Sequence, residues 1–176
     1  MRQYLHLDDS GDKLVASHLR KALKRMPCLT DVSLCDIRGV GDVTARILRE
    51  HCQMLSCVRM CDTAITDDGV VALSGLPRLK EVHVSARAPK KLGDVGLLAL
   101  SIAPQLTDII WGVDLPVLQD TVSGLISRTT LIALTENTNL TYIEINGDVF
   151  WDVQTARQKG QAPQMFPGLP ESEWPI

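Results

Sequence analysis

The feature that most constrains this chain is a repeat. A leucine is followed three residues on by a β-branched or apolar residue, and two further on by another. The triplets are Leu29, Val32 and Leu34; Leu55, Val58 and Met60; Leu79, Val82 and Val84; Leu106, Ile109 and Trp111; Leu140, Ile143 and Ile145. Leu5 and Leu7 fit the last two positions of an earlier copy. The leading leucines lie 26, 24, 27 and 34 residues apart. Alternating apolar residues mark a strand with one buried face. A period in the mid-twenties marks a chain of stacked strand-and-helix units.

The other half of each unit repeats as well. Gly11-Asp12, Gly41-Asp42, Thr66-Asp67 and Gly93-Asp94 each precede apolar residues at helical spacing. Each Asp is expected to cap its helix, because a carboxylate accepts a free backbone N–H and suits the positive end of the helix dipole. The helices are then expected to bury Leu14, Val15, Leu19, Leu23 and Met26; Val43, Ile47 and Leu48; Val70 and Leu73; and Val95, Leu98 and Leu100. Pro27, Pro77 and Pro104 stand where three helices must stop. Strands and helices in alternation predict an α/β fold of about six units. The register puts Trp111 inside, unless the fifth strand slips by one residue, which would expose Trp111 and bury Ile110.

The stretch Ala64-Ile65-Thr66-Asp67-Asp68-Gly69-Val70-Val71-Ala72-Leu73, with Leu76-Pro77 and Leu79 to Val84 behind it, resembles a leucine-rich repeat. The subclass it resembles is the cysteine-containing, ribonuclease-inhibitor-like one, familiar from F-box substrate receptors and small accessory subunits. The resemblance covers about residues 4–150, and no F-box is read ahead of the repeats. It implies a right-handed solenoid with a parallel sheet on the concave face and helices on the convex face. It implies a binding scaffold and no shared active site. The unit after Trp111 departs from the pattern by its length. The solenoid is assigned to residues 1–152, and 153–176 to a proline-rich extended tail.

Between the inward residues of each strand stand others that face the open side of the sheet. Tyr4, Asp31, Cys57, Glu81, Asp108 and Tyr142 form one expected column. His6, Ser33, Arg59, His83, Ile110 and Glu144 form the next. Asp8, Cys35, Cys61, Ser85, Gly112 and Asn146 form a third. Asp31, Glu81 and Asp108, with Arg59 and His83 beside them, are expected to select a protein partner of mainly basic charge. Tyr4, His6, Tyr142 and Glu144 complete the candidate set.

Composition narrows the partner. A net charge of -3 and a pI near 5.8 disfavour direct nucleic-acid binding. An aromatic share of 4% leaves little to stack bases on. No apolar run is long enough to span a membrane. The five cysteines are odd in number and hold no C-x-x-C pair, so a reducing intracellular compartment is expected. The opening MRQYLHLDDSGD has no apolar signal core. The cytoplasm is the expected location, with an organelle after presequence removal as the alternative.

Cys35, Cys57 and Cys61 with His83 do not amount to four converging zinc ligands, and Arg59 would oppose a metal there, so no metal or cofactor is expected. The first strand begins close to Met1, which suggests either that a partner covers its edge or that the chain was cut from a longer one. Four prolines between 163 and 176 favour an extended path. Phe166 and Trp174, with Met165, Leu169 and Ile176, make that tail either a cap on the last repeat or an arm for a partner. The function expected is non-catalytic: a protein-interaction module, a subunit or adaptor of a larger complex, binding by the concave face, the first edge or the tail. One alternative is a substrate receptor whose effector-binding segment is absent from this chain. The other is an enzyme using Cys57 or Cys61 with His83.

Overall fold

A computed structural model describes residues 3–7, 16–87, 92–113, 126–145 and 148–152. The elements run β1 (Tyr4–His6), α1 (Ala16–Leu23), β2 (Asp31–Ser33), α2 (Asp42–His51), β3 (Cys57–Thr63), α3 (Asp67–Ser74), β4 (Glu81–Ala86), α4 (Asp94–Ser101), β5 (Asp108–Val113), α5 (Arg128–Glu136), β6 (Tyr142–Ile145) and β7 (Asp148–Asp152). The strands lie side by side in chain order in one open sheet. β1 to β6 are parallel, and β7 returns antiparallel against β6. Parallel neighbours need a crossover connection, and α1 to α5 supply the five. The helices pack on one another in the same order, from α1 on α2 to α4 on α5.

The expected triplets form the core between helices and sheet. Leu29, Leu55, Leu79, Leu106 and Leu140 are buried, as are Val32, Val58, Val82, Ile109 and Ile143 from the strands. Trp111 is 1% exposed and lies between Val84 and Ile145 in the paired register, so the fifth strand does not slip. Among the described residues, no helix is long and apolar enough to cross a membrane. The tail at 153–176, Leu14, Val15, Asp8 and Asn146 lie outside the described residues.

Gly41-Asp42, Thr66-Asp67 and Gly93-Asp94 start helices, but not as simple caps; Gly11-Asp12 lies outside the described residues. The residue before the Asp is the N-cap, and the Asp is the first helical residue. Each carboxylate reaches forward to the next unit. Asp42 accepts from the Thr66 backbone N–H and from the Thr66 hydroxyl, both at 2.8 Å. Asp67 accepts from the Gly93 N–H at 2.8 Å. Asp94 accepts from the Ser127 N–H and the Thr130 hydroxyl, both at 2.7 Å. The donor in every case is an N-cap N–H, sometimes joined by a hydroxyl of the same first turn, at a helix end that leaves backbone donors unpaired. Two glycines leave room for these carboxylates. A Cβ on Gly69 would stand 2.5 Å from Asp42 Oδ1, and one on Gly96 would stand 2.6 Å from Asp67 Oδ1 and 2.7 Å from the Trp111 ring.

A second line of bonds runs just ahead of the strands. Ser56 and Thr141 donate their hydroxyls to the main-chain carbonyls of Thr30 and Thr107, one unit earlier, at 3.1 and 3.2 Å. The same two carbonyls also accept backbone N–H groups, from Ser56 and Cys57 and from Thr141 and Tyr142. In the last unit Asn137 donates to the carbonyls of Ser101 and Ala103, and Asn139 to that of Pro104, at and just past the end of α4.

The helix faces differ from expectation in three places. Val43 and Val95 are each 58% exposed and Leu98 is 38% exposed. The inward stripes are Thr44, Ala45, Ile47 and Leu48 in α2, and Gly96, Leu97, Leu100 and Ser101 in α4. A helix buries one stripe against its core, and residues a half-turn away stay in solvent whatever their polarity. Leu19, Leu23, Ile47, Leu48, Val70, Leu73 and Leu100 are buried, and Met26 packs partly against the core.

Two outcomes test this framework. Gly69→Ala adds a methyl where Asp42 and Ile65 already stand, so it should destabilise by about 1–3 kcal/mol despite the better helix propensity of Ala. A urea midpoint that stays level or rises would refute the close approach. Half-burial opposes the charge on Asp94, but the hydrogen bonds from Ser127 and Thr130 outweigh it and hold the carboxyl below its usual range. A depressed carboxyl contributes stability above its unfolded pKa and loses it as the pH falls through the folded one. The advantage of the wild type over Asp94→Asn should therefore be full at neutral pH and shrink below about pH 4.

Candidate interaction face of the sheet

The two columns expected on the open face form as read. Tyr4 pairs with Asp31, Asp31 with Cys57, Cys57 with Glu81, Glu81 with Asp108 and Asp108 with Tyr142. His6, Ser33, Arg59, His83, Ile110 and Glu144 follow in the same register. Neighbouring strands stand roughly 4.8 Å apart, so each column is a row of adjacent side chains. Asp31, Arg59, Glu81, His83, Asp108, Tyr142 and Glu144 are half-buried, and Tyr4 and His6 are exposed at the edge strand. Phe166 and Trp174 lie outside the described residues.

Local contacts hold the charged groups in place. The hydroxyls of Thr30 and Thr107, each one residue before a strand, bond the carboxylates of Asp31 and Asp108. Arg59 Nη2 stands 3.7 Å from Glu81 Oε2, so the one cation of the two columns is already paired with one of their acids. The Tyr142 hydroxyl donates to Glu144 at 2.6 Å. Thr30 and Thr107 had no part in the column pattern. Their signal is a hydroxyl residue immediately ahead of an acidic strand start.

Two small members of the columns are covered. Ser33 is 6% exposed and Cys57 is 3% exposed, although both stand on the open face. Ser33 lies between His6 and Arg59, and Cys57 between Asp31 and Glu81. Longer lateral neighbours shadow a short side chain, so the column exposes its charges and hides its thiol.

The third column holds only in part. Ser85 and Gly112 pair, but β2 ends at Ser33, and the β3–β4 register shifts between Met60 and Thr63. Asp36 and Asp62 sit there at φ 55° and 57°, a left-handed conformation that Asp tolerates better than most residues. Cys35 and Cys61 are neighbours as expected: the Cys61 N–H donates to Cys35 Sγ at 3.4 Å. Arg87 pairs with Asp36 across the intervening strand.

Three of the five thiols are raised above their ordinary range. Burial pushes Cys52 up to about 11 and Cys57 up to about 12, with Glu81 and Asp31 opposing the help from Arg59. Cys61 is raised further by its bond with Cys35 and by burial, and its Sγ points to the His83 main-chain oxygen at 3.9 Å. Burial and then Arg59 lower His83 below its ordinary value, against the pull of Glu81, Asp108 and Glu144. All five cysteines are free, and among the described residues no three His, Cys, Asp or Glu side chains group as a metal site.

Brief treatment of the native protein with iodoacetamide near pH 7.5 should therefore label the exposed Cys28 first, with Cys52, Cys57 and Cys61 reacting only after unfolding. Peptide mass mapping reads the outcome. Fast native labelling of Cys57 or Cys61 would restore the case for a thiol nucleophile. The sequence matches no protein-family model and no curated protein.

Proposed function

We propose that this chain is a leucine-rich-repeat solenoid acting as a non-catalytic protein-interaction module, a subunit or adaptor of a larger intracellular complex, and that its concave sheet face takes a mainly basic partner. The observation that carries this reading is the unbroken pairing of the two columns across six strands. It lines up Asp31, Glu81, Asp108 and Glu144 against one arginine, Arg59, which is already engaged by Glu81. A positively charged segment laid across the strands meets carboxylates at a fixed pitch. Asp31 and Glu81 are two strands apart, roughly 10 Å, which an extended peptide spans in about three residues. Tyr4 and Tyr142 at the two ends offer large contact area with few rotatable bonds.

Repeat architectures commonly bind through such a surface because it is rigid and wide. The free cysteines suit a reducing compartment. The raised thiols weigh against the cysteine-enzyme alternative.

The test is purification of the tagged full chain from its native extract at moderate salt, beside the double variant Glu81→Lys and Asp108→Lys. The variant removes the Arg59 pairing of Glu81 and the Thr107 bond of Asp108, so its thermal unfolding is measured beside the wild type's to show that it is folded. A partner near one-to-one with the wild type and absent from the variant is the expected result. Many substoichiometric partners, all lost from the variant, would select the receptor alternative. Equal retention by both proteins would sink the concave-face reading.

A further inference from the structure

Helices α2 to α5 begin on one plan. At α3, α4 and α5 the first turn receives a carboxylate from the unit before, namely Asp42, Asp67 and Asp94. The third residue of each of these helices points at that carboxylate. A Cβ on Gly69 or Gly96 would lie 2.5 or 2.6 Å from it, and Thr130 places its hydroxyl 2.7 Å from it.

α2 has the same start, with Gly41 as N-cap and Thr44 as third residue, over a helix of 10 residues. Gly41 brings no side-chain cap to that first turn. Thr44 is 0% exposed, and its Oγ1 is buried with no hydrogen-bond partner among the described residues. A buried hydroxyl left unpaired costs free energy, so a partner for it is favoured strongly. The common backbone geometry aims Thr44 Cβ at the place that Asp94 occupies beneath Thr130.

We propose that the N-terminus of α2 is a carboxylate-binding site. The Gly41 N–H and the Thr44 hydroxyl hold one carboxylate oxygen, as the Ser127 N–H and the Thr130 hydroxyl hold Oδ1 of Asp94. The helix dipole adds to the attraction. A carboxylate can come from two sources. One is Asp12 of this chain, whose place in Gly11-Asp12 matches that of Asp42, Asp67 and Asp94 in the sequence. The other is an acidic side chain of a partner. The site does not depend on what the sheet face binds.

The experiment is thermal unfolding of the full chain as wild type, Thr44→Val, Asp12→Asn and the double variant. Each is measured in sodium acetate and in sodium chloride at equal ionic strength and pH. Thr44→Val swaps the hydroxyl for a methyl of the same shape, and Thr44→Ser keeps the hydroxyl as a control. If Asp12 fills the site, each single variant lowers the midpoint by roughly 2–4 °C, and the double variant falls no further than the larger single. Acetate then raises Asp12→Asn alone. If the carboxylate is a partner's, Asp12→Asn leaves the midpoint unchanged, and acetate raises the wild type and Thr44→Ser but not Thr44→Val. If the effect of Thr44→Val depends on neither Asp12→Asn nor acetate, the proposal is overturned.

Discussion

The structure depends on one recurring bond, from the first carboxylate of a helix to the N-cap N–H of the next. A helix start carries backbone donors with no partner inside the helix, and packing it between neighbours takes water away from some of them. Asp42, Asp67 and Asp94 supply the missing acceptors across a separation of 24 to 33 residues. The arrangement then dictates the residues around it. Gly69 and Gly96 are small because an oxygen occupies the space of their Cβ, and Gly96 also admits the rim of Trp111. In the last unit Thr130 replaces the glycine and joins the bond itself.

The strands were legible because apolar alternation states directly which face is buried. Once the leucine triplets are aligned, the row Val32, Val58, Val82 and Ile109, each paired with the next, follows, and so does the inward place of Trp111. The aspartates were visible, but their partners were not. Spacing within one unit cannot show that a carboxylate serves the following one, although the glycines two residues past Asp67 and Asp94 were a clue. The faces of α4 were hard to read because that helix is apolar nearly all round. Leu97 is buried while Val95 and Leu98 look outward. β7 has no counterpart in a parallel repeat. Its signal is Asn146-Gly147 between Ile145 and Asp148, a pair that favours a two-residue hairpin turn.

On the candidate face the order of residues was legible and their availability was not. Register alone puts Asp31, Cys57 and Glu81 in line, but the burial of Cys57 follows from the length of its two neighbours. The hydroxyls of Thr30 and Thr107 serve the sheet and the candidate face together. Each bonds an acid of the open face, Asp31 or Asp108, and lies 3.1 Å from a carbonyl of the unit before. Asp31 and Asp108 are thereby oriented by hydroxyls that also stand against the unit before.

Each strand and helix packs against its neighbours in chain order, and the strand pairings and helix contacts span one unit of sequence. Such a chain has little need to wait for its far end. As it leaves the ribosome, each new strand and helix can dock on the unit made just before it, and long loops need not close at late stages. Among the described strands β7 alone reverses direction, pairing antiparallel with the edge that β6 offers.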